Sequence, residues 1–190
     1  MASTQPSKLL STLFEHIDEE ARITVLHIGP ALPETVEFFS RYRCKLHFVD
    51  LFGELPILAE EDVPLSLEKQ FAELLQFPPG TYFDITLFWD LFNYMSSDAI
   101  TAFLMTLRPY LRPGSLAHGF AVHNLRNPPS ERIYGISDLD ALNIRPRSAS
   151  LPGYAPHTQS RLKTLLSCFQ FDRSVLLSDS RLELLLSAKL

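Results

Sequence analysis

Three side chains able to do acid–base or ligand chemistry each follow a predicted β-strand. Asp50 comes directly after an apolar strand at residues 45–49, and Asp90 and His123 lie at the ends of two further strands. The carboxyl ends of parallel strands meet at one edge of a sheet, where open α/β proteins bind their ligands. A carboxylate there can accept both hydroxyl groups of a ribose. We therefore expect these side chains to lie close together at a candidate site.

The opening unit of the chain reads as strand, turn, helix and strand. Residues 23–28 are β-branched and aliphatic, which is typical of a strand buried on both faces of a parallel sheet. Gly29 ends that strand, and Pro33 suits the first position of a helix. An acid after the second strand of such a unit is the ribose-binding arrangement of doubly wound nucleotide proteins. Gly29 and Pro30 would then lie beside Asp50, although Asp50 fits a surface or helix-capping acid equally well.

The rest of the chain continues this alternation, which predicts a doubly wound α/β fold with a mostly parallel sheet. The last two strands are separated by only residues 178–180, so we expect them to form an antiparallel hairpin. The third strand of the sheet is predicted to be short, at residues 62–65, or missing. Val36 and Phe39, with Phe38 as a further candidate, are expected to form the apolar face of the helix that begins at Pro33. The predicted helices are residues 6–21, 51–60, 66–76, 97–111 and 158–169, and the remaining predicted strands are 83–89, 115–123, 171–177 and 181–188.

Residues 124–157 carry no regular pattern and hold five prolines. A segment of this length without secondary structure is usually functional or mobile. We therefore predict an irregular insertion within a single domain that spans residues 1–190. Four arginines give this part of the chain a basic bias, and we interpret them as dispersed, solvated side chains: Arg126, Arg132, Arg145 and Arg147.

The order of these elements and four short motifs resemble the class I S-adenosylmethionine-dependent methyltransferases. The resemblance covers nearly the whole chain, from about residue 23 onward. The motifs are the first strand with its turn (25–29), the acid after the second strand (48–50), the Phe-Asp strand (83–90) and the Pro-Gly turn before the fifth strand (107–114).

The resemblance implies a cofactor, a reaction and a set of site residues. S-adenosylmethionine would be bound by Gly29, Pro30, Asp50 and Asp90, with Asp50 on the ribose. Methyl transfer depends on alignment of donor and acceptor, sometimes with a base that removes a proton from the acceptor. Asp90 or His123 would be that base. The acceptor would be a small molecule, and the irregular insertion would be a lid over it.

The sequence departs from the family pattern in the turn after the first strand. His27 stands where the family has an acid that holds the cofactor's ammonium group, and Ala31 and Pro33 stand where it has glycines. Only glycine lacks a Cβ, so side chains in this turn would crowd the cofactor. Two alternatives therefore remain: an inactive pseudo-methyltransferase that binds another protein or regulates it, and a protein that binds a different nucleotide. The sequence has no phosphate-binding glycine loop, which argues against the binding of a different nucleotide.

Composition limits the classes of partner. The net charge is −5, which argues against a general nucleic-acid-binding protein. Cys44 and Cys168 have no metal or redox spacing, so we predict reduced thiols, no metal site and a cytoplasmic location. No apolar run is long enough for a membrane span. The sequence leaves the oligomeric state open.

Overall fold

The structure of the protein is a computed structural model that describes residues 2–18, 20–59, 66–126 and 128–190. Its strands are β1 (Ser3–Pro6), β2 (Ile23–Ile28), β3 (Cys44–Val49), β4 (Ile85–Trp89), β5 (Leu116–Val122), β6 (Arg132–Asp138), β7 (Ala141–Pro146), β8 (Phe169–Leu176) and β9 (Arg181–Ala188). Six of them form the main sheet in the order β3–β2–β4–β5–β9–β8. Strands β2 to β5 are parallel, whereas β9 is antiparallel to both β5 and β8. The predicted doubly wound sheet with a C-terminal antiparallel hairpin is confirmed.

In the part of the chain that the structure describes, the main sheet ends at β3, which is the strand predicted at residues 45–49. No further strand pairs with the outer edge of β3 there. The short strand considered at residues 62–65 falls outside the described residues. Strand order reverses between β2 and β4, because the chain first adds β3 on one side of β2 and then β4 on the other. This reversal is the place where doubly wound sheets bind ligands.

The described residues form four α-helices, of which the last three begin at a capping side chain. The helices are α1 (Pro33–Phe39), α2 (Leu67–Leu74), α3 (Ser97–Leu107) and α4 (Gln159–Leu165). The side chains of Ser66, Ser96 and Thr158 accept hydrogen bonds from backbone N–H groups in the first turns of α2, α3 and α4. The helix predicted at residues 51–60 is instead a single 3₁₀ turn, Leu51–Glu54.

The apolar face of α1 differs from the prediction at Val36 alone of the three residues considered for it. Val36 is 48% exposed, whereas Phe38 and Phe39 are buried. Phe38 packs edge-on against Phe14, with ring centroids 5.4 Å apart. Phe38 and Phe39 therefore hold α1 against the core, and Val36 faces outward.

The prediction of an irregular insertion at residues 124–157 was wrong for residues 132–146, whereas residues 124–126, 128–131 and 147–157 contain no helix or strand. Strands β6 and β7 form an antiparallel hairpin there, and β1 pairs with β7 to complete a second, three-stranded sheet. Leu142 and Ile144 are buried, whereas the residues that alternate with them are partly exposed. This is the two-residue period of a half-buried strand. Pro146 is the last residue of β7, and the other prolines of residues 124–157 lie outside both strands of the hairpin.

The predicted helix at residues 6–21 was also wrong. The chain forms β1 and then a 3₁₀ turn at Leu10–Leu13. Pairing of β1 with β7 explains the start of the difference, because it holds Ser3–Pro6 extended. The carboxylate of Glu183 in β9 then accepts hydrogen bonds from the backbone N–H groups of Lys8 (2.8 Å) and Leu9 (3.2 Å) and from the hydroxyl of Ser7. These bonds fix an extended segment. The leucines that suggested a helix are buried in the core without one.

Candidate functional site

The structure brings the predicted site residues to the carboxyl edge of the main sheet, with different exposure. Gly29 follows β2, and its N–H donates to the carbonyl of Val49 at 2.8 Å. Asp50 follows β3 and is exposed, whereas Asp90 follows β4 and is buried. His123 follows β5 and is exposed. Pro30, directly after Gly29, is partly exposed.

The space beside Gly29 is occupied by His27. The His27 ring is fully buried, and its Cε1 atom lies 3.5 Å from the point where a Cβ on Gly29 would stand. The Trp89 indole N–H donates to His27 Nε2 at 3.1 Å. Burial lowers the pKa of His27 to about 4, so the ring is neutral near pH 7 and Nε2 can accept this bond. His27 is therefore a neutral, buried packing residue beside Gly29.

Aromatic rings cover the ends of β4 and β5. Trp89 has a φ of 53°, which is unusual for a bulky residue. Its side chain stacks on Tyr134 of the β6–β7 hairpin, with centroids 5.2 Å apart and an interplanar angle of 5°. Tyr134 also stacks on Phe120 at 5.2 Å, and the Arg181 guanidinium lies 4.6 Å from the centroid of the Phe120 ring. Gly119 permits this arrangement, because a Cβ there would lie 3.1 Å from the Trp89 carbonyl oxygen.

Asp90 lies beneath this stack and takes part in a buried polar chain. The Tyr134 hydroxyl donates to Asp90 Oδ2 at 3.2 Å and accepts from Arg181 Nη1 at 2.9 Å. Arg181 also donates to Gln5 Oε1 at 2.8 Å and to Asp179 Oδ2 at 2.9 Å. Burial raises the pKa of Asp90 to about 6, although the charges of Arg147 and Arg181 oppose that change.

The β6–β7 hairpin is fastened to the first turn of α1. The backbone N–H of Ile136 donates to Thr35 Oγ1 at 3.1 Å. Arg145 forms a two-pronged ion pair with Glu34, and Asn143 donates to the same carboxylate at 3.3 Å. The β6–β7 hairpin therefore covers the first turn of α1.

Three of the four arginines of residues 124–157 make specific contacts. The interpretation of these three as dispersed, solvated side chains was therefore wrong. Arg145 pairs with Glu34, and Arg132 lies 2.9 Å from Asp179. The Arg147 guanidinium lies 4.4 Å from the centroid of the Phe52 ring. They join the hairpin to the edge of the main sheet.

Several polar atoms at this edge are buried without a hydrogen-bond partner among the described residues. They are Asp90 Oδ1, Arg147 Nε, Tyr154 Oη and His27 Nδ1. Buried polar groups in proteins are nearly always paired with protein, water or ligand. These atoms are therefore the part of the edge that could meet a small polar molecule.

Sequence reasoning missed Tyr134, Arg181 and Arg147 as parts of the site. The signal that could have found Tyr134 was the alternation of apolar and polar residues along β6 and β7. The prolines around the hairpin obscured this alternation. Arg181 begins a strand of apolar residues and is 1% exposed, so its burial depends on the packing of the hairpin above it. Within the described residues, no group of three or more His, Cys, Asp or Glu side chains is arranged to hold a metal ion. No helix there has the length and apolarity needed to cross a membrane.

Comparison with known proteins identifies the fold. No family model and no curated protein matches the sequence. A Burkholderia thailandensis 1,6-didemethyltoxoflavin-N1-methyltransferase, solved with its substrate and S-adenosylhomocysteine, is 14% identical with a TM-score of 0.53, over 95% of this chain and 76% of that one. The PH0226 protein of Pyrococcus horikoshii OT3 is 13% identical with a TM-score of 0.57, over 95% and 88%. A Clostridium acetobutylicum S-adenosylmethionine-dependent methyltransferase is 11% identical with a TM-score of 0.51, over 87% and 83%. The chain has the fold of the class I S-adenosylmethionine-dependent methyltransferases.

The described side chains do not fit the cofactor that this fold implies. The resemblance would place the methionine part of S-adenosylmethionine beside Gly29, where the His27 ring lies. It would also place the site of methyl transfer beside Asp90. That side chain is covered by Tyr134 and is 2% exposed. Asp50 alone keeps an exposed carboxylate suited to a ribose.

Proposed function

We propose that this protein has a methyltransferase fold without methyl-transfer activity and that it acts by binding another protein. The observation that carries the proposal is the closed carboxyl edge of the main sheet. Trp89, Tyr134 and Phe120 form a continuous stack there, and Asp90 is bonded beneath it. A cofactor would have to displace the stack before it could reach Asp90.

The energetic cost of that displacement supports the proposal. Opening the hairpin would separate two aromatic pairs, each worth about 0.5–1.5 kcal/mol beyond its buried area. It would also break the Tyr134–Asp90 and Tyr134–Arg181 hydrogen bonds, and bonds to charged groups contribute about 1.5–3 kcal/mol each. A ligand would bind more weakly by the free energy of this opening.

A second candidate is a working methyltransferase on a small-molecule acceptor, with the β6–β7 hairpin as a lid. The unpartnered atoms of Asp90, Arg147 and Tyr154 favour it, because a polar ligand could satisfy them. In that case Asp50 would bind the cofactor, and Asp90 or His123 would accept the acceptor's proton. The small-molecule substrate of the Burkholderia relative is consistent with this candidate.

Calorimetric titration separates the two candidates. Cofactor-stripped protein is titrated with S-adenosylmethionine and with S-adenosylhomocysteine to millimolar concentration, using wild type, Asp50→Ala and the exposed-acid control Asp98→Ala. Our proposal predicts no saturable heat for any of the three proteins. Saturable one-to-one binding by wild type and Asp98→Ala, lost in Asp50→Ala, would overturn the proposal and favour the methyltransferase.

A further inference from the structure

A groove on the helical face of the molecule, away from the carboxyl edge, is lined by cations and apolar side chains. It lies between α3, α4 and the end of β9, with a volume of about 500 Å³. Arg108, Arg161 and Lys189 contribute its three charges, and the lining contains no acidic residue. The whole chain carries a net charge of −5. The groove is thus a local positive site on an acidic protein.

The apolar part of the groove is contributed mainly by α3. Met105 is 62% exposed, the highest value among the exposed large apolar side chains of the described residues. Leu104 and Leu165 are buried but line the groove from its two helices. Methionine side chains adapt to differently shaped partners and are common on surfaces that bind helices.

Two of the cations project from helix positions that keep them at the rim. Arg108 is the C-terminal cap residue of α3, and its backbone N–H donates to the carbonyl of Leu104. Arg161 lies in the first turn of α4, and its guanidinium donates to Ser97 Oγ at 3.3 Å, which bridges the starts of α4 and α3. No salt bridge joins Arg108, Arg161 or Lys189 to an acid among the described residues. Their charge is therefore available to a partner.

We propose that this groove binds an acidic, amphipathic helical segment of a partner protein. Its apolar side chains would lie on Met105 and Leu104, and its carboxylates would face Arg108, Arg161 and Lys189. Cationic rims of this kind steer acidic partners and exclude basic ones. This proposal rests on the proposed function in one respect, which is that the partner is a protein. It adds the surface that would bind that partner.

Fluorescence anisotropy with designed probes tests the proposal on the full chain. The first probe is a labelled 14-residue helical peptide with leucine on one face and glutamate on the other. The second replaces each glutamate with lysine, and the third replaces each leucine with serine. We expect the first probe to bind saturably and the other two to bind at least about tenfold more weakly, a difference of about 1.4 kcal/mol.

Charge reversal locates the site. We expect Arg108→Glu and Arg161→Glu each to weaken binding of the first peptide about tenfold, or about 1.4 kcal/mol. Arg173→Glu makes the same change of charge on the exposed surface of β8, outside the groove, and should leave binding within about twofold of wild type. Met105→Ser should weaken binding without changing its dependence on salt.

Three outcomes would overturn the proposal. The first is no saturable binding of the acidic peptide at 1 mM and low salt, and the second is an equal effect of Arg173→Glu. The third is that vesicles of phosphatidylglycerol and phosphatidylcholine bind the protein through Arg108 and Arg161 while the peptide does not, which would assign the groove to a membrane surface. These results concern the groove alone, whereas the cofactor titration concerns the carboxyl edge, so failure of one inference is distinguishable from failure of the other.

Discussion

Replacing Asp90 with asparagine should stabilise this protein at neutral pH, by an amount that depends on pH. Burial raises the pKa of the Asp90 carboxyl from 3.8 to about 6. Between those two pH values the folded state binds more protons at Asp90 than the unfolded state does, so this group makes stability fall as the pH rises. At 1.36 kcal/mol per pH unit, the ionised carboxylate costs the folded state about 3 kcal/mol above pH 6.

Asparagine has nearly the same shape as the protonated acid and keeps an oxygen that can accept from the Tyr134 hydroxyl. The difference in unfolding free energy between Asp90→Asn and wild type should therefore rise between about pH 4 and pH 6. Above pH 6 it should level off at up to about 3 kcal/mol in favour of the variant. Urea unfolding at half-unit steps from pH 4 to pH 8 measures this difference, and contributions from other titrating groups cancel in it.

The exposed acid Asp50 provides the matched control, because Asp50→Asn makes the same chemical change at the same edge of the sheet. Because the Asp50 side chain is exposed, this substitution should change the free energy of unfolding little. The reasoning would be refuted if the Asp90→Asn difference were flat, or if it fell with rising pH. The latter result would mean that Arg147 and Arg181 stabilise the carboxylate more than burial destabilises it.

Two further substitutions test the attachments of the second sheet. Gly135→Ala should destabilise the protein by about 1–3 kcal/mol in urea unfolding, because the new Cβ would lie 2.5 Å from Glu34 Oε1; a neutral effect would show that the Glu34 side chain can move aside. Glu183→Gln should cost about 2–4 kcal/mol at pH 7 and speed amide hydrogen exchange at Lys8 and Leu9, because it weakens several bonds to a buried carboxylate. Burial raises the pKa of Glu183, but hydrogen bonds from His118 and the N-terminal segment outweigh that effect and lower it to about 2. This contribution is therefore present above about pH 4.5 and is lost as the pH falls toward 2, so equal loss of stability by the variant at pH 2.5 and pH 7 would contradict this explanation.

The main sheet could be predicted because its signals are local. Strand β2 is a continuous run of apolar and β-branched residues, and β4 and β5 are bounded by turns with glycine or proline. The caps Ser66, Ser96 and Thr158 each lie next to the helix they begin. Each of these elements is identified by residues within a few positions of it.

The second sheet could not be predicted because its stability depends on residues distant in sequence. Strand β1 is held through Ser7 to Glu183, which is 176 positions away. Its partner β7 has the period of a strand, but the prolines around the hairpin indicate loop. Propensity at the N-terminal segment favours helix, but pairing with β7 holds Ser3–Pro6 extended, and the buried carboxylate of Glu183 then holds Lys8 and Leu9 beside β9.

These distant contacts also explain why the sequence could place the candidate site but could not determine whether it is open. Asp90 directly follows β4, so its position at the carboxyl edge follows from the main sheet alone. Its exposure depends on Tyr134 and Arg181, and both are held by the second sheet: Tyr134 is part of β6, and Arg181 donates to Gln5 of β1. Strand β1 therefore supports the closed edge through Arg181.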